Sequence, residues 1–216
     1  MAGAAIGIAA TVYMKVGGVT GAVMFSFGLI AVVMLQLPLF TGQSQFVWNS
    51  GKRDYAVLGL MLMLNILGCS LIAALTSNDA IRDSAYKIVQ TRINNGILLN
   101  CLLAIPCGFI MTTAVQGAAL KKNWLPLLFG VPAFIICGFP HCIADVYYYS
   151  ATGFTELGFL GTGTVLAAYL PTVVGNFIGC NLYRFVADMP RWFSPAKANQ
   201  EETKETPSAA KQTADE

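Results

Sequence analysis

Five stretches of this chain contain no charged residue and are long enough to cross a lipid bilayer as helices. They cover 16–51, 55–78, 93–120, 123–144 and 157–183. A hydrocarbon core of about 30 Å needs roughly 20 helical residues. With 56% hydrophobic residues, 11% charged residues and a mean hydropathy of +0.61, the chain has too few polar side chains to cover a soluble domain. The sequence therefore predicts an integral membrane protein.

A sixth apolar run, Met1–Met14, is shorter than the other five. At 1.5 Å per residue it would reach only about 21 Å as a helix. We count six spans and expect the first to be thinned, extended by Val16 and its neighbours, or missing its natural beginning. A cleaved signal peptide is the alternative, but this run lacks a basic start and is followed by Lys15.

The basic residues between the spans predict the orientation. Lysine and arginine are enriched in cytoplasmic loops. The second and fourth connections and the segment after the last span carry Lys52, Arg53, Lys121, Lys122, Arg184, Arg191 and Lys197. Both termini would then face the cytoplasm, in a membrane that we expect to be the plasma (inner) membrane. The third connection, 76–92, should face outward, so at least one of Arg82, Lys87 and Arg92 should have a purpose other than topology.

Composition also divides the chain. We expect residues 1–196 to form the membrane domain, and 197–216, which hold three lysines and five acidic residues, to be a disordered cytoplasmic tail. All six cysteines lie inside apolar runs without a Cys-x-x-Cys pair, which favours small packing residues over disulfides or metal ligands. We expect no metal, no cofactor and no nucleic-acid partner.

The second and fifth spans are interrupted at matching places. The first break is Leu37-Pro38-Leu39-Phe40-Thr41, and the second is Gly138-Phe139-Pro140-His141. The third and sixth spans share a signature, Asn65-Ile66-Leu67-Gly68 and Asn176-Phe177-Ile178-Gly179. These matches predict two three-span repeats, about 1–78 and 88–189, and an odd number of spans makes the second repeat inverted. A simple proline kink is the alternative for either break taken alone.

The second break carries the only histidine of the chain, His141. An ionisable group inside a span is costly and usually faces a pathway. Histidine changes charge near neutral pH, so it could hold a proton for an arriving anion or donate a hydrogen bond when neutral. Asp145, one helical turn further on, could orient the ring or could simply mark the outer mouth of the span.

A different short motif marks each of the six spans, and the second span carries two. In order, the motifs are Ala2-Gly3, Phe25-Ser26-Phe27-Gly28-Leu29, Leu39-Phe40-Thr41-Gly42, Asn65-Ile66-Leu67-Gly68, Gly96-Ile97-Leu98-Leu99-Asn100, Gly138-Phe139-Pro140-His141-Cys142-Ile143-Ala144-Asp145 and Gly175-Asn176-Phe177-Ile178-Gly179. From Ala2 to about Arg184 the chain thereby resembles the formate/nitrite transporter family. The resemblance implies an all-α, aquaporin-like fold of six transmembrane helices, with helices 2 and 5 interrupted. It also implies a homopentamer with one pore in each subunit.

The same resemblance implies roles for individual residues. His141 corresponds to the central pore histidine, and Thr41 to its hydrogen-bonding partner on the opposite loop. Asn100 and Asn176 correspond to residues that contact the passing anion, and Lys87 to a vestibule lysine that draws anions in. The positions that form apolar constrictions are Phe25, Leu29, Leu39, Phe40 and Phe134. The chain departs from the family at Pro38 and Pro140, where an acidic residue is usual, and at Asp145, where asparagine is usual.

These features predict transport of small monovalent weak-acid anions such as formate, nitrite or hydrosulfide. An anion stripped of water in an apolar constriction is costly, whereas a neutral acid pays far less. Proton linkage is therefore expected, whether His141 gives the proton or only stabilises the anion while bulk water supplies it.

Two other functions can be weighed against transport of anions. A water or glycerol channel would share the fold, but it needs Asn-Pro elements, which the chain lacks. An intramembrane serine protease would need a Gly-x-Ser-Gly turn, which Gly68-Cys69-Ser70-Leu71 matches only in part. We therefore expect a transporter and no catalytic activity.

Overall fold

The computed structural model describes residues 1–47, 50–153 and 161–193, without the side chains of Thr162 and of residues 187–193. Every regular element in these ranges is helical. The helices are α1 Ala2–Val16, α2 Gly18–Met34, α3 Phe40–Gln43, α4 Lys52–Thr76, α5 Asp79–Lys121, α6 Leu125–Ile136, α7 Cys142–Thr152 and α8 Thr162–Phe193, with a 3₁₀ turn at Ser44–Phe46. Met1–Leu182 form one compact unit, and the described residues from Tyr183 to Phe193 belong to a second. The predicted tail, 197–216, lies outside the described residues.

Three of the described helices are long and apolar enough to cross a membrane. They are Lys52–Thr76, Asp79–Lys121 and the Gly163–Val186 part of α8. Helices α1, α2 and α6 are apolar but shorter, at 10–17 residues. The chain is therefore an all-helical integral membrane protein over its described part.

The third connection differs from the prediction, because α5 already begins at Asp79 and continues through Arg92. Asn78 caps this helix by accepting a hydrogen bond from the backbone N–H of Ile81 at 3.1 Å. Asp79, in the first turn, also has a favourable interaction with the helix dipole. Gly96, at φ +68°, then breaks the helical geometry inside α5.

Close helix packing requires glycine at two matching places. A Cβ added to Gly3 of α1 would lie 1.9 Å from the carbonyl oxygen of Asn65 in α4. A Cβ added to Gly108 of α5 would lie 2.2 Å from the carbonyl oxygen of Asn176 in α8. Small residues let membrane helices approach closely in this way, and here they bring the backbones of the two signature asparagines against a neighbouring helix.

The first break begins with a helix cap at the end of α2. The backbone N–H groups of Gln36 and Leu37 donate to the carbonyls of Val33 and Val32, at 3.2 and 2.8 Å. Gln36 adopts a left-handed conformation, with φ at +51°. This geometry is typical of a helix C-terminus. The chain then runs extended through Leu39 before α3 begins.

The second break begins in the same way at the end of α6. The backbone N–H groups of Gly138 and Phe139 donate to the carbonyls of Ile135 and Phe134, at 3.0 and 2.9 Å. Gly138 has φ at +68°. The chain then runs extended through His141 before α7 begins. The two breaks thus share one backbone geometry at a constant separation along the sequence.

The left-handed backbone at Gln36 predicts a stabilising substitution. Gln36→Gly should raise the free energy of unfolding by about 1 kcal/mol, because glycine adopts positive φ without the Cβ clash. Thermal unfolding in detergent measures the effect. Gln36→Ala is the matched control, since it removes the exposed side chain but retains Cβ and should give no gain. Equal stabilisation by both variants would contradict the backbone explanation.

Candidate functional site

His141 and Thr41 come from the two breaks and meet in the buried interior. Both side chains are buried, and Thr41 Oγ1 lies 3.2 Å from His141 Nε2. His141 also caps α7, because its Nδ1 accepts a hydrogen bond from the backbone N–H of Ala144 at 3.1 Å. Since Nδ1 is the acceptor in this bond, a neutral ring carries its hydrogen on Nε2 and donates it toward Thr41.

A row of aromatic rings leads up to this histidine. The ring of Phe134 stacks on the imidazole, with centroids 5.6 Å apart and an interplanar angle of 24°. Phe25 contacts Phe134 edge-on at 6.2 Å, and Tyr13 contacts Phe25 edge-on at 6.5 Å. Phe25 and Phe134 are buried, as is Leu29, one helical turn beyond Phe25. One side of the imidazole is therefore packed against an apolar wall.

Two cavities adjoin the breaks. The first, of about 310 Å³, includes His141 and Phe134 in its lining. The second, of about 180 Å³, includes Leu39 and Gln45 in its lining. Matching positions of the two breaks line them: Gly138, His141 and Asp145 line the first, and Gln36, Leu39 and Gln43 line the second. The cavities therefore lie beside equivalent positions of the two breaks but differ in chemistry.

Asn65 holds the two ends of the first break. Its Oδ1 accepts a hydrogen bond from the backbone N–H of Phe40 at 2.9 Å. Its Nδ2 donates to the carbonyl of Pro38 at 3.1 Å. The backbone groups that a continuous helix would have paired are thus satisfied by one side chain of α4.

Asn176 holds the second break in the same way. Its Oδ1 accepts from the backbone N–H of Cys142 at 2.8 Å, and its Nδ2 donates to the carbonyl of Pro140 at 3.0 Å. The same Nδ2 donates to the carbonyl of Ala104 at 2.9 Å. The two asparagines of the shared signature therefore make equivalent bonds, each to the backbone of one break.

Two cysteines each donate a hydrogen bond to the break that belongs to the other predicted repeat. Cys69 of α4 donates from Sγ to the carbonyl of Ile143 at 3.2 Å, and Cys180 of α8 donates to the carbonyl of Thr41 at 3.2 Å. Both acceptors lie at matching positions in the first turns of α7 and α3. These cysteines thus bond the opposite break as well as filling space. All six cysteines are free thiols.

Arg92 and Asp145 form a buried ion pair beside the histidine. Arg92 donates from Nε to Oδ2 of Asp145 at 3.0 Å and from Nη2 to Oδ1 at 3.4 Å. Its Nη1 donates to the carbonyl of Gly138 at 2.8 Å. Arg92, which the sequence places in the third connection, therefore has a structural role besides any effect of its charge on membrane orientation. Asp145 bonds this arginine instead of the imidazole, and its burial argues against a simple marker of an outer mouth.

The structure does not bring all of the predicted site residues together. Asn100 is buried and donates to the carbonyl of Arg92 at 2.5 Å, across the break at Gly96. Lys87 is exposed on α5 and does not belong to the described lining of either cavity. Phe40 is buried, and its backbone N–H bonds Asn65. Among the described residues, no group of three or more His, Cys, Asp or Glu side chains could hold a metal ion.

Comparison with known proteins now identifies the family. The family model described as formate/nitrite transporter matches residues 1–188. The chain belongs to the formate/nitrite transporter family. Members of this family are transporters, so the chain is a membrane transport protein and not an enzyme.

Individual relatives and structures agree with the family. The protein described as uncharacterized transporter YrhG, from Bacillus subtilis (strain 168), is 25% identical over 191 residues, covering 77% of this chain and 70% of the relative. A structure described as a pentameric formate channel with formate bound has a TM-score of 0.70 at 22% identity, covering 89% of this chain and 94% of that chain. A structure described as an FNT family ion channel has a TM-score of 0.72 at 16% identity, covering 90% of this chain and 87% of that chain. These two structures show that the fold is shared.

The bonds from Asn65 and Asn176 to the backbone of the breaks, which we call the asparagine clamps, predict the stability of two variants of this formate/nitrite family member. Asn65→Ala and Asn176→Ala should each destabilise the protein, since an unsatisfied buried backbone group costs about 1–3 kcal/mol. The loss should be larger for Asn176, which makes three of these bonds. Asn94→Ala, at an exposed position of α5, is the control and should stay within about 0.5 kcal/mol. Thermal unfolding in detergent would contradict the clamps if all three variants matched the parent.

Proposed function

We propose that each subunit forms a pore for small monovalent weak-acid anions such as formate, nitrite or hydrosulfide. The observation that carries this proposal is the 3.2 Å contact between His141 and Thr41, where the two breaks meet. A cavity lined by each break supports a path that approaches this contact from two sides. The structural relative described as a formate channel with formate bound supports the substrate class.

The proposed barrier of the pore is apolar. It would comprise Phe25, Leu29, Leu39, Phe40 and Phe134, all of which are buried. An unpaired anion pays a large desolvation penalty among such side chains, whereas the neutral acid pays little. Protonation of the anion at or near His141 would therefore let it cross. Lys87 would raise the anion concentration outside. Asn100 would contribute a polar contact along the way, and Asn176 would do so by releasing its bond to Ala104 or Pro140.

The hydrogen-bonding state of His141 suits this role. Its neutral Nε2–H is a donor that can point to Thr41 or to a passing anion in its place. Proton linkage follows in either of two ways. The ring can take a proton from water on Nδ1, with loss of the bond from Ala144, and give its Nε2 proton to the anion. Alternatively, the neutral ring can hold the anion while water supplies the proton.

We further propose an architecture of six spans in two inverted repeats. The spans are α1, α2 with α3, α4, α5, α6 with α7, and α8. The matched caps at Gln36 and Gly138, the paired clamps of Asn65 and Asn176, and the reciprocal thiol bonds support this relation. Three spans in each repeat would make the second repeat antiparallel to the first in the membrane.

Assembly and location complete the proposal. The structural relative described as pentameric supports a homopentamer. Many large apolar side chains remain exposed on the single subunit, which suits contact with lipid and with neighbouring subunits. The basic connections support cytoplasmic termini in the plasma membrane.

Uptake by proteoliposomes tests the substrate class. Formate, nitrite and hydrosulfide should enter, and entry should be faster when the external pH is lowered, since the neutral acid crosses the barrier. Glycerol should not enter faster than into protein-free liposomes. Osmotic swelling measures all four solutes in one assay. Rapid glycerol swelling with no anion uptake would indicate an aquaporin-like channel instead.

Substitution of the central pair tests the site. His141→Asn should change the pH dependence of formate uptake, because it removes the titratable ring while keeping a polar side chain. Thr41→Val should lower the uptake rate, by about tenfold if one hydrogen bond of about 1.4 kcal/mol is lost in the transition state. Thr113→Val, whose exposed hydroxyl bonds only within its own helix, is the matched control. An unchanged pH profile in His141→Asn would remove the histidine from the mechanism.

A further inference from the structure

The buried guanidinium of Arg92 contacts the chain on both sides of His141. Nη1 donates to the carbonyl of Gly138, in the cap of α6. Nε and Nη2 donate to the carboxylate of Asp145, in the first turn of α7. One side chain of α5 therefore connects the end of one half-helix to the beginning of the next, with the histidine between them.

Arg92 is itself held by groups of its own helix. Gly96 interrupts the helical hydrogen bonds, and the side chain of Asn100 donates to the carbonyl of Arg92 at 2.5 Å. Asn95 in turn donates to Oδ1 of Asn100 at 3.3 Å. The backbone of Arg92 is thus fixed within α5, and its guanidinium extends from this fixed point to Gly138 and Asp145.

The segment before His141 depends on such outside contacts. Gly138 has positive φ and no side chain, so its backbone can turn at little cost. Asn176 holds the segment at Pro140, and Arg92 holds it at Gly138. We propose that Arg92, with Asp145, is a positioning residue that keeps Nε2 of His141 at hydrogen-bonding distance from Thr41. This inference rests on the proposed transport function where uptake is the measurement.

Charge balance is the competing explanation for any effect of Arg92. Removal of the guanidinium alone leaves the carboxylate of Asp145 buried without a partner, which is costly and repels anions. The titratable groups that line the cavity in front of the imidazole are Tyr13, Arg92, Cys137, Asp145 and Tyr148. The variant R92M/D145N removes both charges but does not restore the bond to Gly138. It therefore separates positioning from charge balance.

Formate uptake by proteoliposomes, normalised to folded protein, is the first measurement. R92M and R92M/D145N should both lower the rate by about tenfold, the effect of one charge-assisted hydrogen bond. R82M is the control, because Arg82 lies on the same helix but is exposed and pairs with Asp79 at 3.6 Å. A wild-type rate in R92M/D145N would overturn the positioning role. Absence of uptake by the wild type would contradict the proposed function instead.

A spectroscopic measurement tests the position of the ring without transport. His141 is the only histidine, so ¹⁵N-histidine labelling gives one imidazole spectrum. R92M should shift the Nε2 resonance in the same direction as T41V, because both lose the hydrogen bond, and R82M should leave it unchanged. If R92M folds poorly, R92K takes its place, since lysine keeps the charge but lacks the planar fork. An unchanged Nε2 resonance in the folded variant would refute the inference even if uptake falls.

Combination with T41V adds a test of mechanism. If Arg92 acts through the bond between His141 and Thr41, R92M should reduce uptake little further in a T41V background. Independent effects would multiply, giving a combined loss of about a hundredfold. A multiplicative loss would therefore refute positioning through this bond.

Discussion

The structure depends on how the backbone groups at two helix breaks are paired inside an apolar molecule. A break at membrane depth leaves N–H and C=O groups without helical partners, and no water in the hydrocarbon can replace them. Asn65 and Asn176 supply both a donor and an acceptor at one place. Because each break is closed in this way, Thr41 in the first turn of α3 and His141 at the start of α7 can both lie in the interior. The contact between Thr41 and His141 therefore depends on asparagine side chains that pair the backbone groups left without helical partners.

The sequence contained the breaks but not their chemistry. Proline in mid-span and the shared Asn-x-x-Gly signature predicted two related breaks, since both features are local patterns. The role of Asn65 could not be predicted, because it depends on which backbone groups of another helix lie within reach. The glycine of the signature allows close packing, because a Cβ added to Gly179 would lie 2.0 Å from the carbonyl oxygen of Ile105.

The third connection shows a second limit of sequence reasoning. Arg82, Lys87 and Arg92 are equivalent as charges in a sequence, and resemblance alone selected Lys87. In the structure Arg92 reaches Asp145 because α5 is helical through this region and then breaks at Gly96. A useful signal was nonetheless present, because Asp145 was an unmatched acid close to a charge-free run and Arg92 adjoined another. The presence of one acid and one base beside two charge-free runs is thus a sequence pattern that indicates an ion pair between spans.

The two breaks share one backbone geometry, but the cavities beside them differ in chemistry. A repeated backbone provides the same cap, extended residue and clamp twice, so the difference between the cavities must come from side chains alone. Leu39 occupies the position of His141, and Gln43 that of Asp145. One cavity therefore has an imidazole and an ion pair, whereas the other has leucine and amides. Of these two cavities, the one with His141 has titratable side chains in its described lining and the other does not. Two equivalent backbone geometries thus line cavities of different chemistry.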